Sequence, residues 1–99
     1  MAKTKGSEPA KTLKLARDLR IASAASAYAM LKEATKSPAT SVTLDGREVE
    51  KVDAAGLQAV LAGQRVLAAA GKSVSWAGVS ASMRAAADLL GLSGAMGVP

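Results

Sequence analysis

The chain has 99 residues, about half of them hydrophobic and very few aromatic, so we expect one small domain with an aliphatic core. It contains no Cys and no His, which excludes disulfides, thiolate or imidazole catalysis and nearly all zinc and iron sites. No metal ion or cofactor is therefore predicted. The net charge is +5, but more than half of this excess lies in the first 14 residues, so we predict a solvated basic lead-in and no nucleic-acid partner.

The N-terminal segment predicts a lead-in, a strand and a helix. Residues 1–11 are interpreted as a flexible lead-in and residues 12–99 as the domain. "TLKLA" (12–16) alternates apolar and polar residues, as in a short strand. Residues 18–38 then change to helical spacing, with Ser23 as one possible cap and a stop near Pro38. The residues expected on the apolar face of this helix are Ile21, Ala24, Ala25, Tyr28 and Leu31.

The middle of the chain leaves two topologies open. "SVTLD" (41–45) predicts a strand with Val42 and Leu44 on one face, and the Asp45-Gly46 pair after it is a strong turn signal. The segment to Val52 is either the second strand of a hairpin or a connection that carries the chain from a buried strand to the next helix. Local propensity does not choose between these alternatives.

The strongest helical pattern extends from Asp53 to Ala70. Asp53 is a good N-cap, since its carboxylate suits the positive end of the helix dipole, and Gly71 is a natural terminator. The apolar stripe of this helix consists of Leu57, Val60, Leu61, Leu67 and Ala68.

The C-terminal third predicts one more strand and one more helix. "SVSWAG" (73–78) is read as a strand, and a helix follows from a Ser80 cap to Gly91, with Met83, Ala87 and Leu90 facing inward. "LSGAMGVP" (92–99) is interpreted as a tail. The alternation of strands and helices predicts an α/β domain, a mixed and mostly parallel sheet with helices packed on it.

Catalytic constellations are scarce. A serine nucleophile would have only Lys or a carboxylate as its base, and Ser80 is better explained as a helix cap. Gly-Lys-Ser at 71–73 opens a strand, whereas a phosphate-binding loop would open a helix. Arg84 and Asp88 are expected to form a weak surface ion pair. Enzyme activity is therefore not expected.

The order of motifs from residue 42 to residue 92 resembles the STAS domain, the fold of bacterial anti-anti-sigma factors. The matching pieces are a buried strand (42–45), an apolar approach (49–52), an Asp-Ser/Thr-x-Gly-Leu helix start (53–57), an Ala-Gly-Lys turn (70–72), a strand (74–76), a Gly-x-Ser turn (78–80) and "LLGL" (89–92). "DLRIASA" (18–24) is also similar to the family's approach to its first helix. The resemblance covers roughly residues 12–95 and looks closest to small stand-alone chemotaxis-associated members.

This resemblance implies a protein that does no chemistry itself but docks a partner protein. The implied partners are an anti-sigma kinase, a chemotaxis signalling component or a transporter ATPase. Docking would use the start of the helix at residue 53 and the loops beside it. The residues expected to bind the partner are Asp53, Ala54, Ala55, Gly56, Leu57 and Arg20.

Two departures from the family pattern bear on regulation. In members that switch partners, the residue after the Asp is a phosphorylated Ser or Thr, but here it is Ala54, which has no hydroxyl. Arg20 stands where many members have an Asp, which reverses a charge near the expected docking face. The departures at Ala54 and Arg20 disfavour a phosphorylation switch and leave constitutive docking possible.

A bulky, charged residue substituted at Gly56 is expected to block docking.

The sequence therefore favours a non-enzymatic signalling adaptor without the usual phosphoacceptor. The alternatives are a small cytoplasmic STAS subunit of a phospholipid ABC transporter and an anti-anti-sigma factor. No secretory signal and no run long enough to cross a membrane is recognised, so a cytoplasmic protein without membrane insertion is the expectation. The sequence does not predict the oligomeric state.

Overall fold

Strands and helices alternate along the chain in the computed structural model, which describes residues 10–99. The first strand begins at Ala10, two residues before the predicted one, and the predicted lead-in over 1–11 otherwise lies outside the described residues. The strands are β1 (Ala10–Lys14), β2 (Asp18–Leu19), β3 (Ser41–Gly46), β4 (Lys51–Val52) and β5 (Ser73–Val79). The helices are α1 (Ile21–Glu33), α2 (Ala54–Ala69), α3 (Ala81–Leu89) and α4 (Ser93–Met96), with a short 3-10 turn (Ala34–Lys36) after α1.

The strands form two parallel sheets. The main sheet has the order β1-β3-β5, with Leu44 opposite both Leu13 and Trp76. A two-stranded sheet pairs β2 with β4, and places Leu19 opposite Val52. The predicted α/β class is confirmed, and every pairing between described strands is parallel.

The turn at Asp45 leads out of the main sheet and does not form a hairpin. β3 is the central strand, and its two inward residues, Val42 and Leu44, are fully buried. A hairpin partner would occupy an edge that β1 or β5 already covers. The Asp45 carboxylate accepts from the Arg47 backbone N–H at 3.1 Å and from its guanidinium at 3.0 and 2.9 Å. The chain then continues through the buried Val49 to β4.

The core lies between the main sheet and the two long helices. α1 and α2 pack closely where α2 has Gly63, since a Cβ there would lie 2.6 Å from the Cβ of Leu31. The predicted stripe of α2 is buried except at Ala68, which is exposed. The largest fully buried side chains are Leu15, Leu19, Leu31, Leu44, Leu57, Leu67, Met83, Met96, Val42, Val49 and Val60.

The start of α1 differs from the prediction. The helix begins at Ile21 after the N-cap residue Arg20, so Ser23 is not its cap. Ile21 is 73% exposed and does not face the core. The buried positions of α1 are Ala27 and Leu31, one turn apart, and this stripe leaves Ile21 on the outer side of the helix.

The predicted C-terminal tail is also wrong, because residues 93–96 form a helix that packs on the domain. Met96 is 2% exposed, and its carbonyl accepts from the side chains of Gln64 and Trp76, both at 2.8 Å. Leu90, expected to face inward, is 43% exposed. The C-terminal residues thus complete the core beside α2 and β5.

Arg84 and Asp88 do not form the predicted ion pair. Arg84 donates to the carbonyl of Pro99, while Asp88 accepts from the hydroxyl of Ser93. Both side chains therefore hold the C-terminal segment. Within residues 10–99, no helix combines the length and the apolar character needed to cross a lipid bilayer.

Candidate functional site at the paired helix starts

Asp53 caps α2 as predicted. Its backbone is extended, and one carboxylate oxygen, Oδ1, accepts from the backbone N–H of Gly56 at 2.9 Å. This contact satisfies one of the N–H groups that a helix start leaves without a partner inside the helix.

The same carboxylate also serves the other long helix. Its second oxygen, Oδ2, accepts from the backbone N–H of Ile21 at 2.9 Å. Within residues 10–99, the α1 N-cap residue Arg20 makes no side-chain capping bond of its own. One carboxylate thus joins two helix starts that lie 32 residues apart in sequence. Sequence reasoning missed this contact, although the lack of a capping residue before Ile21 was a signal for it.

Gly56 allows α2 to approach the strand that leads into α1. A Cβ at this position would lie 1.9 Å from the carbonyl oxygen of Leu19, far inside van der Waals contact. The backbone N–H of Asp53 donates to the same oxygen at 3.3 Å. The glycine of the helix-start motif is therefore required by packing.

The structure divides the six residues that were expected to bind a partner. Gly56 and Leu57 are buried, so their side chains cannot reach a partner unless the helix moves. Ala54 and Arg20 are exposed, and Asp53 and Ala55 are half-buried. The structure brings Asp53, Ala54 and Arg20 together at one end of α1 and α2.

Ile21 belongs to the same surface and was missed as a site residue. Its helical spacing suggested a core position, but its backbone is held by Asp53 while its side chain is largely exposed to solvent. We call the group formed by Arg20, Ile21, Asp53 and Ala54 the paired-start surface.

Charges at this surface are largely satisfied within the protein. The guanidinium of Arg20 makes two hydrogen bonds of 2.8 Å to the carboxylate of Asp18. The hydrogen bond from Arg20 lowers the pKa of Asp18 below its ordinary value. The pKa of Asp53 is lowered too, first by the backbone N–H groups of Gly56 and Ile21 and further by the charge of Arg20. Both carboxylates are therefore ionised at neutral pH.

The helices that rise from the paired-start surface carry no formal charge over their first turns. Positions 21–31 and 54–64 contain no Asp, Glu, Lys or Arg. Arg20 stands where the family pattern has an acidic residue. Its positive charge is not free, since Asp18 pairs with it. Ala54 supplies no nucleophile or phosphate acceptor. The four residues of the paired-start surface include no hydroxyl, thiol or imidazole group.

Comparison with known proteins confirms the resemblance to the STAS domain but does not show the likeness to chemotaxis-associated members. The family model described as "Mlab, STAS domain" matches residues 3–98. No curated protein shows a significant match to the chain. The family match includes both helix starts, the main sheet and the C-terminal helix, so it is not limited to a single motif. The chain belongs to the STAS domain family.

Proposed function

We propose that this chain is a non-enzymatic signalling adaptor that docks a partner protein through the paired-start surface. STAS domains generally act as regulators that bind protein partners and do not catalyse reactions. The observation that carries the proposal is the exposure of Ile21, 73%, at the place where the family's helix-start motif also lies. Apolar residues that stay exposed beside an ordered backbone are suited to the desolvated centre of an interface.

The proposed partner is a kinase-like protein or a chemotaxis signalling component. Docking is constitutive in this proposal, because Ala54 cannot accept a phosphate. A transporter ATPase is the alternative partner, and the chain would then be the small subunit of a phospholipid transporter. An anti-anti-sigma role remains the third alternative and would need control by something other than phosphorylation of residue 54.

The test uses binding to the purified products of the genes that adjoin the gene for this chain. Ala54→Arg places a long, charged side chain at the first residue of α2, where the present side chain is exposed. Ala81→Arg is a matched control, since Ala81 is the exposed first residue of α3 and follows a capping Ser80 in the same way. Ile21→Asp removes the apolar side chain at the proposed centre of the interface.

We expect Ala54→Arg and Ile21→Asp each to weaken binding by about tenfold or more, as for residues at the centre of an interface. Ala81→Arg should change binding by less than about twofold, as for a residue outside the interface. Far-ultraviolet circular dichroism and the urea midpoint would show that each variant folds. Equal binding of all three variants would contradict the proposed surface. A wild-type chain that binds none of these products would contradict the proposed function.

A further inference from the structure

We propose that Asp53 is a positioning residue, whose carboxylate ties the start of α1 to the start of α2 so that Ile21 and Ala54 act as one docking surface. The use of this tie rests on the proposed function, whereas the tie itself rests on geometry. Asp53 was expected to touch the partner directly. The structure assigns it an internal task instead, since both of its oxygens are engaged with backbone N–H groups.

The two oxygens serve different helices. Oδ1 accepts from Gly56 inside α2, and Oδ2 accepts from Ile21 at the first position of α1, each at 2.9 Å. The guanidinium of Arg20, which precedes α1, is occupied by Asp18. Without the Asp53 carboxylate, the Ile21 N–H would turn to water, and the first turn of α1 would fray more readily.

The segments that lead into the two helices are already adjacent. β2 pairs with β4, with Leu19 opposite Val52, and the Leu19 carbonyl accepts from the backbone N–H of Asp53 at 3.3 Å. These contacts bring the two chain segments together before either helix begins. The carboxylate then sets the first residue of α1 against the first turn of α2. The surface that includes Ile21 is thus determined by a residue of the other helix.

The chemistry of the carboxylate explains why Asp is needed for both tasks. A carboxylate has two oxygens that accept in different directions, whereas a serine hydroxyl offers one oxygen on a shorter side chain. Serine is nevertheless a good N-cap. In this chain Ser80 caps α3 by accepting from the backbone N–H of Met83 at 3.0 Å. Asp53→Ser should therefore keep the cap of α2 and remove the tie to α1.

The experiment measures the chemical shifts and the hydrogen-exchange rates of backbone amides by NMR. It uses the full 99-residue chain labelled with ¹⁵N. In the wild type, acid titration should shift the amide resonances of Ile21 and Gly56 with one common midpoint below the ordinary aspartate pKa of about 3.9. Asp53→Ser should abolish both of these titrations, while any effect of the neighbouring Asp18 persists in the variant. Ser80→Ala serves as the matched control, because it removes the cap of α3 and leaves both titrations in place.

Hydrogen exchange separates the tie from an ordinary cap. Asp53→Ser should accelerate exchange of the Ile21 amide by about fivefold or more, the effect expected for loss of a capping contact, and change that of Gly56 by less than about twofold. The Leu31 and Leu61 amides lie in the two helices away from their starts and report global stability. A residue that merely caps α2 would leave the Ile21 amide unchanged, and this result would overturn the proposal. Accelerated exchange of all four amides in parallel would overturn it as well.

The last measurement is the affinity of each variant for the gene product that the wild type binds. Asp53→Ser should weaken binding about as much as Ile21→Asp does. If the Ile21 amide is released but binding stays at the wild-type level, the positioning role in docking is refuted. If the amide is released while neither Ile21→Asp nor Ala54→Arg affects binding, the proposed function fails and the tie between the helices stands.

Discussion

Gly56→Ala is expected to destabilise the protein, although alanine normally stabilises a helix interior by about 1 kcal/mol relative to glycine. The new Cβ would lie 1.9 Å from the Leu19 carbonyl oxygen, and ordinary contact begins at 3.4 Å. The start of α2 and the backbone of β2 must therefore separate by about 1.5 Å, and both are main-chain segments that cannot rotate away. Overpacking of this kind costs typically 1–3 kcal/mol and sometimes more. Because backbone atoms must move, we take the cost at the upper end, about 3 kcal/mol, and expect a net loss of about 2 kcal/mol after the propensity gain.

Urea unfolding followed by the fluorescence of Trp76 would measure the change, and the thermal midpoint should fall by about 10 °C for a domain of this size. Gly94→Ala is the matched control, because Gly94 is helical and a Cβ there meets no atom within 4 Å. This control should be neutral or slightly stabilising. A Gly56→Ala variant as stable as the wild type would refute the close approach of α2 to β2.

Three further predictions follow from particular contacts. The hydrogen bonds from Arg47 lower the pKa of Asp45 to about 2, so the stabilisation that they give is present above the ordinary pKa of about 3.9 and is lost as the pH falls toward the folded value. Above about pH 5, the urea midpoint of the wild type should exceed that of Asp45→Asn by a constant margin. The two midpoints should converge between about pH 4 and pH 2. A margin that is unchanged at pH 2 would contradict this account. Met96→Ala should lower the free energy of unfolding by roughly 2–3 kcal/mol, measured by urea unfolding, and a loss below about 0.5 kcal/mol would show that the C-terminal helix contributes little to the core. After incubation with a cognate kinase, mass spectrometry should find no phosphate on the wild type and one phosphate on Ala54→Ser. Stoichiometric phosphate on any serine of the wild type would contradict the proposal that phosphorylation does not control this chain.

The elements that the sequence predicts well are those whose signals are local. α2 begins and ends at its own capping residues, Asp53 and Ala70, and the terminator Gly71 has the positive φ of 84° that favours glycine. The strand at Ser41 and the strand at Ser73 extend one residue beyond their predicted ends. In each of these cases the residues that specify the element lie within it or beside it.

The sequence predictions fail where a residue distant in the sequence determines the local structure. α1 begins at Ile21 because the capping oxygen comes from Asp53. Residues 18–38 show only that a capping residue is lacking before Ile21, and they do not show which distant residue supplies the oxygen. The choice between hairpin and crossover at Asp45 depended on which strands flank β3, a property of the whole sheet. The Met96 side chain joins the core, and its carbonyl accepts from Gln64 in α2 and Trp76 in β5, both of which are distant in sequence. A four-residue helix is too short to be recognised by its periodicity.

The residues of the helix-start motif divide into an interior set and an exposed residue. Asp53, Gly56 and Leu57 serve the interior: the first joins the two helices, the second permits the close approach to Leu19, and the third is fully buried. Ala54 faces outward, so its methyl group takes no part in these interior contacts. Alanine at position 54 therefore offers no hydroxyl that could accept a phosphate, and the side chain there is exposed. For the same reason, a Gly56→Arg variant would report on folding, and Ala54→Arg is the substitution that reports on docking.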